Sequence, residues 1–258
     1  MLYNAPNRMT PRLLVIPGLD GDPSLLRSAA PDLFQAFRPV WFDHRLDDVA
    51  GGIDGMAERA LAMLDADEEA QQPAYVCGES FGSTLALTLA HRYPDRVRGL
   101  VLLSGFAWYP RSSAWSAQLG LVMWRVLGDR LTRPLLELWR PIGVPGALGW
   151  RSPPAIRRAY LSQAVHHLPG YRGKCEIVVA FDARPWLEHI ACPAFILVGT
   201  WDPVVPPKAG VDLARRLPNA RLHRLGGGHL VHLLRAADVG ALLRDWLADH
   251  PGESSRAA

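Results

Sequence analysis

Apolar residues recur along this 258-residue chain in two rhythms. Short segments read as strands: Leu13–Ile16, Pro39–Asp43, Ala74–Cys77, Val97–Leu103 with its apolar Leu100–Leu103, Ala194–Val198 and Arg221–Leu225. Between them the apolar positions return at helical spacing, as at Ile53, Met56, Ala57, Ala60, Leu61 and Leu64. That spacing predicts a helix over Ile53–Asp67, with others over Ser24–Phe37, Phe81–Tyr93, Lys208–Leu217 and Leu230–Asp249. Asp22 or Ser24 is the expected cap of the Ser24–Phe37 helix. Short strands that are apolar on both faces, alternating with helices, predict an α/β fold with a mainly parallel sheet covered on both sides.

One stretch breaks the alternation. From Phe106 to His189 there are only helical runs punctuated by Pro and Gly. Six of the nine tryptophans fall here: Trp108, Trp115, Trp124, Trp139, Trp150 and Trp186. Eleven cations stand against five anions in this stretch, a balance of +6, while the whole chain carries only +3. The expected organisation is therefore a core from residues 1–105 and 190–258, interrupted by a helical insertion over 106–189. Most of the tryptophans should pack the insertion against itself. Its positive charge reads as a solvated face, or as a surface for an anionic substrate or lipid headgroups, so peripheral lipid contact stays open.

Composition narrows the class. No charge-free apolar stretch reaches 18 residues, which argues against a membrane-spanning helix. Residues 1–12 have no apolar core of the kind a secretion signal needs. Cys77, Cys175 and Cys192 have neither disulfide-framework nor metal-ligand spacing, so three reduced thiols in a cytoplasmic protein are expected. No basic stripe interleaved with aromatics is present, so a nucleic-acid partner is not expected.

The candidate chemistry starts at Gly78-Glu79-Ser80-Phe81-Gly82, which follows a predicted strand and opens a predicted helix. A serine at such a tight turn stands exposed above the sheet edge, at the positive end of the helix. The flanking glycines remove side chains that would collide with the strand and helix. A hydroxyl needs a base to become a nucleophile. His229, in Gly226-Gly227-Gly228-His229 after the last strand, is the chief candidate. His232 competes for the role, but is expected to face the helix's packing partner or solvent. Asp202, in Thr200-Trp201-Asp202-Pro203, follows a strand and can orient the imidazole, while an Asp before Pro is also an ordinary turn former. Backbone N–H groups of Phe81 and Leu19 are the expected oxyanion donors, with Gly18 beside Leu19 in Pro17-Gly18-Leu19-Asp20-Gly21. Trp108 and Trp201 are candidate walls of a substrate pocket, although Trp201 could equally pack on the sheet.

With PGLDG, GESFG, GTWDP and GGGH in this order, the chain resembles the α/β-hydrolase superfamily over about Leu13–Leu103 and Ala194–Leu247. The insertion occupies the place of that superfamily's helical cap. PGLDGDP and GESFGS are similar to a lipid-acting subgroup that includes plant phytyl-ester-synthase-like acyltransferases. The resemblance implies an α/β-hydrolase fold, here lacking the first two strands because so few residues precede Leu13. Pro17-Gly18 stands where many relatives have His-Gly. The implied activity is cleavage of a small-molecule carboxylic ester with a lipophilic acyl group, through Ser80, Asp202 and His229, with neither metal nor organic cofactor. Acyl transfer, thioester hydrolysis or non-catalytic ligand binding on the same fold are the alternatives. Dehalogenase and epoxide-hydrolase chemistry is disfavoured, since those relatives carry Asp where Ser80 stands.

Overall fold

A computed structural model describes residues 10–47, 49–66, 72–109, 121–128, 130–132, 134–135, 138, 148, 152–162 and 170–250. Six strands form one sheet: β1 (Arg12–Ile16), β2 (Arg38–Trp41), β3 (Ala74–Glu79), β4 (Val97–Leu103), β5 (Ala194–Gly199) and β6 (Ala220–Leu225). Their order is β2-β1-β3-β4-β5-β6, and every pairing is parallel. All six carboxyl ends therefore lie on one rim, where an open α/β sheet presents its loops to ligands. Among the described residues no strand precedes β1.

Successive strand residues feed opposite faces. Leu14, Ile16, Val76, Leu100, Leu102 and Ile196 enter one apolar cluster, with α2 (Gly52–Asp65), α3 (Gly82–Arg92) and α6 (Pro207–Arg216) against it. Leu13, Val15, Cys77, Val101, Leu103 and Leu197 enter the other, under α1 (Ser24–Ala29) and α8 (Ala236–Asp249). This is the two-sided burial that near-continuous apolar strands require. Each side chain so enclosed contributes about 1.5–3 kcal/mol.

Two helices differ from the sequence expectation. The first stops at Ala29 instead of Phe37. Pro31 explains this: it lacks an N–H and excludes the helical conformation from Ala30, which sits at φ −133°. Its N-cap is Pro23, so neither Asp22 nor Ser24 takes that place, although Asp22 accepts the Ser24 N–H at 2.9 Å. The closing helix is also two helices, α7 (Val231–Leu234) and α8, joined at Arg235. Nothing at Arg235 breaks a helix by composition, so periodicity alone ran them together.

The stretch from Phe106 to His189 leaves the sheet after β4 and returns to β5, its immediate neighbour. The described part is helical at 121–128, α4 (Pro154–Ser162) and α5 (Tyr171–Ala180), with an isolated bridge between Trp108 and Asp182. Trp124 packs on Tyr171, and Trp186 stacks on His91 of α3. Trp115, Trp139 and Trp150 lie outside the described residues. Among the described residues no helix is long and apolar enough to cross a membrane.

Candidate active site

At the end of β3 the chain turns sharply into α3. Ser80 occupies the turn at φ +50°, a left-handed conformation that costs a non-glycine residue on the order of 1–3 kcal/mol. Three bonds hold it there: Ser80 N–H donates to Leu103 O of β4, and Ser80 O accepts both the N–H and the hydroxyl of Ser83. The flanking glycines are required by space. A Cβ on Gly78 would lie 2.5 Å from Gly82 O, and one on Gly82 would lie 2.2 Å from Ile16 O. Gly82→Ala is therefore expected to cost on the order of 3 kcal/mol by overpacking against backbone. A thermal melt should show a fall of roughly 5–10 °C; an unchanged midpoint would contradict this close approach.

His229 reaches Ser80 from the loop after β6. Its Nε2 lies 2.9 Å from Ser80 Oγ, and its Nδ1 lies 2.7 Å from Asp202 Oδ2. Asp202 sits in the turn after β5, where its other oxygen accepts the N–H groups of Val204 and Val205 at 2.8 and 2.9 Å. The turn and the carboxylate are thus one device: the backbone fixes one oxygen and leaves the second for the imidazole. Asp202 and His229 are buried, and Ser80 is half-buried. None of Gly226, Gly227 and Gly228 has a left-handed φ. Gly227 and Gly228 serve close packing: a Cβ on Gly227 would lie 2.5 Å from Val231 Cγ2, and Gly228 O passes so near Gly199 that a Cβ there would be 2.2 Å away.

Three further contacts hold this rim together, and sequence reasoning missed them. Ser104, itself at φ +51° just past β4, donates from Oγ to His229 O at 2.6 Å. Tyr109 donates to Val204 O at 2.6 Å, bracing the turn that carries Asp202. Trp201 N–H donates to Gly227 O at 2.9 Å, joining the Asp202 turn to the His229 loop.

Gly18 faces Ser80: a Cβ on it would lie 3.8 Å from Ser80 Cβ. The loop from Gly18 to Gly21 closes on a Gly21 N–H to Gly18 O bond of 3.0 Å, and His44 backs it by donating from Nε2 to Pro17 O. Among the described residues neither the Leu19 nor the Phe81 N–H has an intramolecular hydrogen-bond acceptor. Trp108 is half-buried, with the Arg184 guanidinium 4.4 Å above its ring. Trp201 is 79% exposed, so it does not pack on the sheet.

His232 is neither a second base nor a solvent-facing residue. It is fully buried, with Nε2 2.9 Å from Glu79 Oε1. The signal was available: Glu79 ends an apolar strand, and a carboxylate there needs a polar partner.

Burial alone would lower the His229 pKa, but the charge and hydrogen bond of Asp202, with the charge of Glu79, raise it above its ordinary 6.5. Protonated imidazole cannot accept the Ser80 proton. The rate of a reaction using it as base should fall as pH drops through a midpoint above 6.5. A kcat/KM profile of ester cleavage with its acid limb centred below that value would contradict this electrostatic setting.

A six-stranded parallel sheet with such a rim defines an α/β-hydrolase. The structural neighbours agree: a putative non-heme bromoperoxidase, BpoC, from Mycobacterium tuberculosis superposes with TM-score 0.80 at 20% identity, covering 95% of both chains. The chain belongs to the serine aminopeptidase S33 family, whose model matches residues 46–233. Its relatives include a pimeloyl-[acyl-carrier protein] methyl ester esterase of Neisseria meningitidis, 32% identical over 211 residues, covering 78% of this chain and 75% of the relative. A poly(3-hydroxyalkanoate) depolymerase of Ectopseudomonas oleovorans is 28% identical over 194 residues, covering 75% and 66% respectively. The protein is a hydrolase, and its relatives support ester hydrolysis.

Proposed function

We propose that the protein cleaves carboxylic esters through an acyl-enzyme on Ser80. The observation that carries this reading is the unbroken hydrogen-bonded chain from Asp202 Oδ2 through His229 to Ser80 Oγ, with links of 2.7 and 2.9 Å. Ser80 Oγ attacks the ester carbonyl carbon while its proton passes to His229 Nε2. Asp202 accepts the Nδ1 proton as a hydrogen bond and stabilises the imidazolium. The tetrahedral intermediate expels the alcohol oxygen, which takes the proton from His229. Water then attacks the acyl-enzyme, giving a proton to His229. Collapse releases the acid and returns the proton to Ser80. Leu19 and Phe81 N–H groups stabilise the oxyanion, each worth about 3 kcal/mol.

A lipophilic acyl group suits the surroundings. Leu19, Trp108 and Tyr109 are partly buried against the core on this side of the sheet. Gly18 brings no side chain against Ser80, and exposed Trp201 adjoins Asp202. The segment over 106–189 forms the helical cap of this pocket in our reading. The three free cysteines fit a reducing cytoplasm.

Treatment with a fluorophosphonate, followed by peptide mass analysis, should find the label on Ser80. An intact, unlabelled protein would favour ligand binding without catalysis. Ester synthesis outpacing hydrolysis when long-chain alcohols are supplied would assign the same acyl-enzyme to acyl transfer.

A further inference from the structure

Glu79 stands immediately before Ser80, at the last position of β3, and is buried. Its two carboxylate oxygens serve different parts of the site. Oε1 accepts the Nε2–H of His232, three residues beyond His229 on α7, at 2.9 Å. Oε2 accepts the Gly18 N–H at 3.3 Å, in the loop that carries Leu19. Glu79 is thus bonded to the residue that opens the proposed oxyanion loop and to the short helix that follows the proposed base. It is covalently joined to the proposed nucleophile.

We propose that Glu79, held by His232, is a positioning residue that fixes the Gly18–Leu19 loop and the His229 segment against Ser80. This rests on the ester-hydrolase reading of the site and adds to it.

The charge state supports that role. Burial would push the Glu79 carboxyl up, but the hydrogen bond and charge of His232, the charge of His229 and the Gly18 N–H bring it below its ordinary value. It therefore stays ionised through the neutral range and can only accept hydrogen bonds, so the proton between the pair resides on His232 Nε2. His232 Nδ1 is buried without a partner, so the ring is held from one side only, by Glu79. The same negative charge favours protonated His229.

The groups facing Glu79 come from four elements. They are His232 on α7, His229 on the β6–α7 loop, Asp20 on the β1–α1 loop and Cys77 on β3 itself. Burial and Glu79 push Asp20 up to about 7, and burial raises the Cys77 thiol well above its ordinary value. Near neutrality Cys77 is therefore uncharged and Asp20 partly so, which leaves Glu79 as the principal negative charge of this group beside Asp202.

Glu79→Gln keeps the size and removes the charge. With a nitrophenyl ester, its kcat should fall about tenfold to a hundredfold, since displaced catalytic groups lose rate steeply, while KM changes by less than about twofold. The acid limb of its kcat/KM profile should move to lower pH by roughly half a unit or more. A merely structural role would lower the melting temperature and leave that limb in place. Wild-type kcat and an unmoved limb in Glu79→Gln would overturn the proposal.

Should that variant fail to fold, the decision passes to His232→Gln and His232→Asn. The longer amide reaches Glu79 and the shorter does not, so the Gln variant should retain at least about tenfold more kcat than the Asn variant. Equal rates in the two would overturn the proposal. Fluorophosphonate labelling of wild-type Ser80 separates the two levels: without it the ester-hydrolase reading fails, whereas with it only the Glu79 assignment is at stake.

Discussion

Ser80→Ala is expected to lower kcat/KM for a nitrophenyl ester at least about a thousandfold, a loss of roughly 4 kcal/mol in transition-state stabilisation. The expectation follows from the geometry. Ser80 Oγ stands at the open end of the Asp202–His229–Ser80 chain, with both other members turned toward it, and alanine removes it without disturbing the turn. The left-handed strain at this position stays, so the variant should melt close to wild type. The Leu19 and Phe81 N–H groups also remain, which is why a residual rate above background is expected. Activity surviving at more than about a tenth of wild type would mean that another group carries the reaction.

Asp202→Asn is expected to lower kcat by up to about ten-thousandfold at neutral pH, although it changes only one carboxylate oxygen to an amide. Two functions are lost together. The carboxylate accepts the His229 Nδ1–H at 2.7 Å and so leaves Nε2 free to take the Ser80 proton. An amide can place an N–H there instead, which selects the tautomer with its proton on Nε2. The negative charge that favours imidazolium also disappears. The remaining oxygen can still accept the Val204 and Val205 N–H groups, so the turn should hold. A melting temperature near wild type, measured beside the rate, would separate this effect from unfolding. An Asn variant with more than about a tenth of wild-type kcat would remove Asp202 from the orienting role.

Much of this architecture was legible in the apolar rhythm. Leu100–Leu103 is continuously apolar, as a strand covered on both sheet faces requires. The chemistry was legible where it required unusual backbone. Gly78 and Gly82 mark a crossing so tight that a Cβ on either would meet main chain. What periodicity hid were breaks with local causes. Pro31 ends α1 early, a signal present in the sequence and overridden by the apolar residues that follow it, Leu33, Phe34 and Phe37. Arg235 divides the last helix with no such mark. The network behind the site was hidden for a different reason. Glu79 and His232 are 153 residues apart, and Ser104 and His229 are 125 apart. Only the order of strands in the sheet brings them together, and no local spacing encodes it. A charged residue ending an apolar strand asks for a partner, but the sequence does not say which.

In the proposed reaction Ser80 becomes covalently acylated. Rapid mixing of the protein with a nitrophenyl ester, followed by acid quench and mass analysis, observes that step directly. It should yield a burst of nitrophenol and a peptide containing Ser80 that is heavier by one acyl group, both absent in Ser80→Ala. Steady turnover by the wild type, with no acyl mass on Ser80 at any quench time and an equal rate in the alanine variant, would contradict the account.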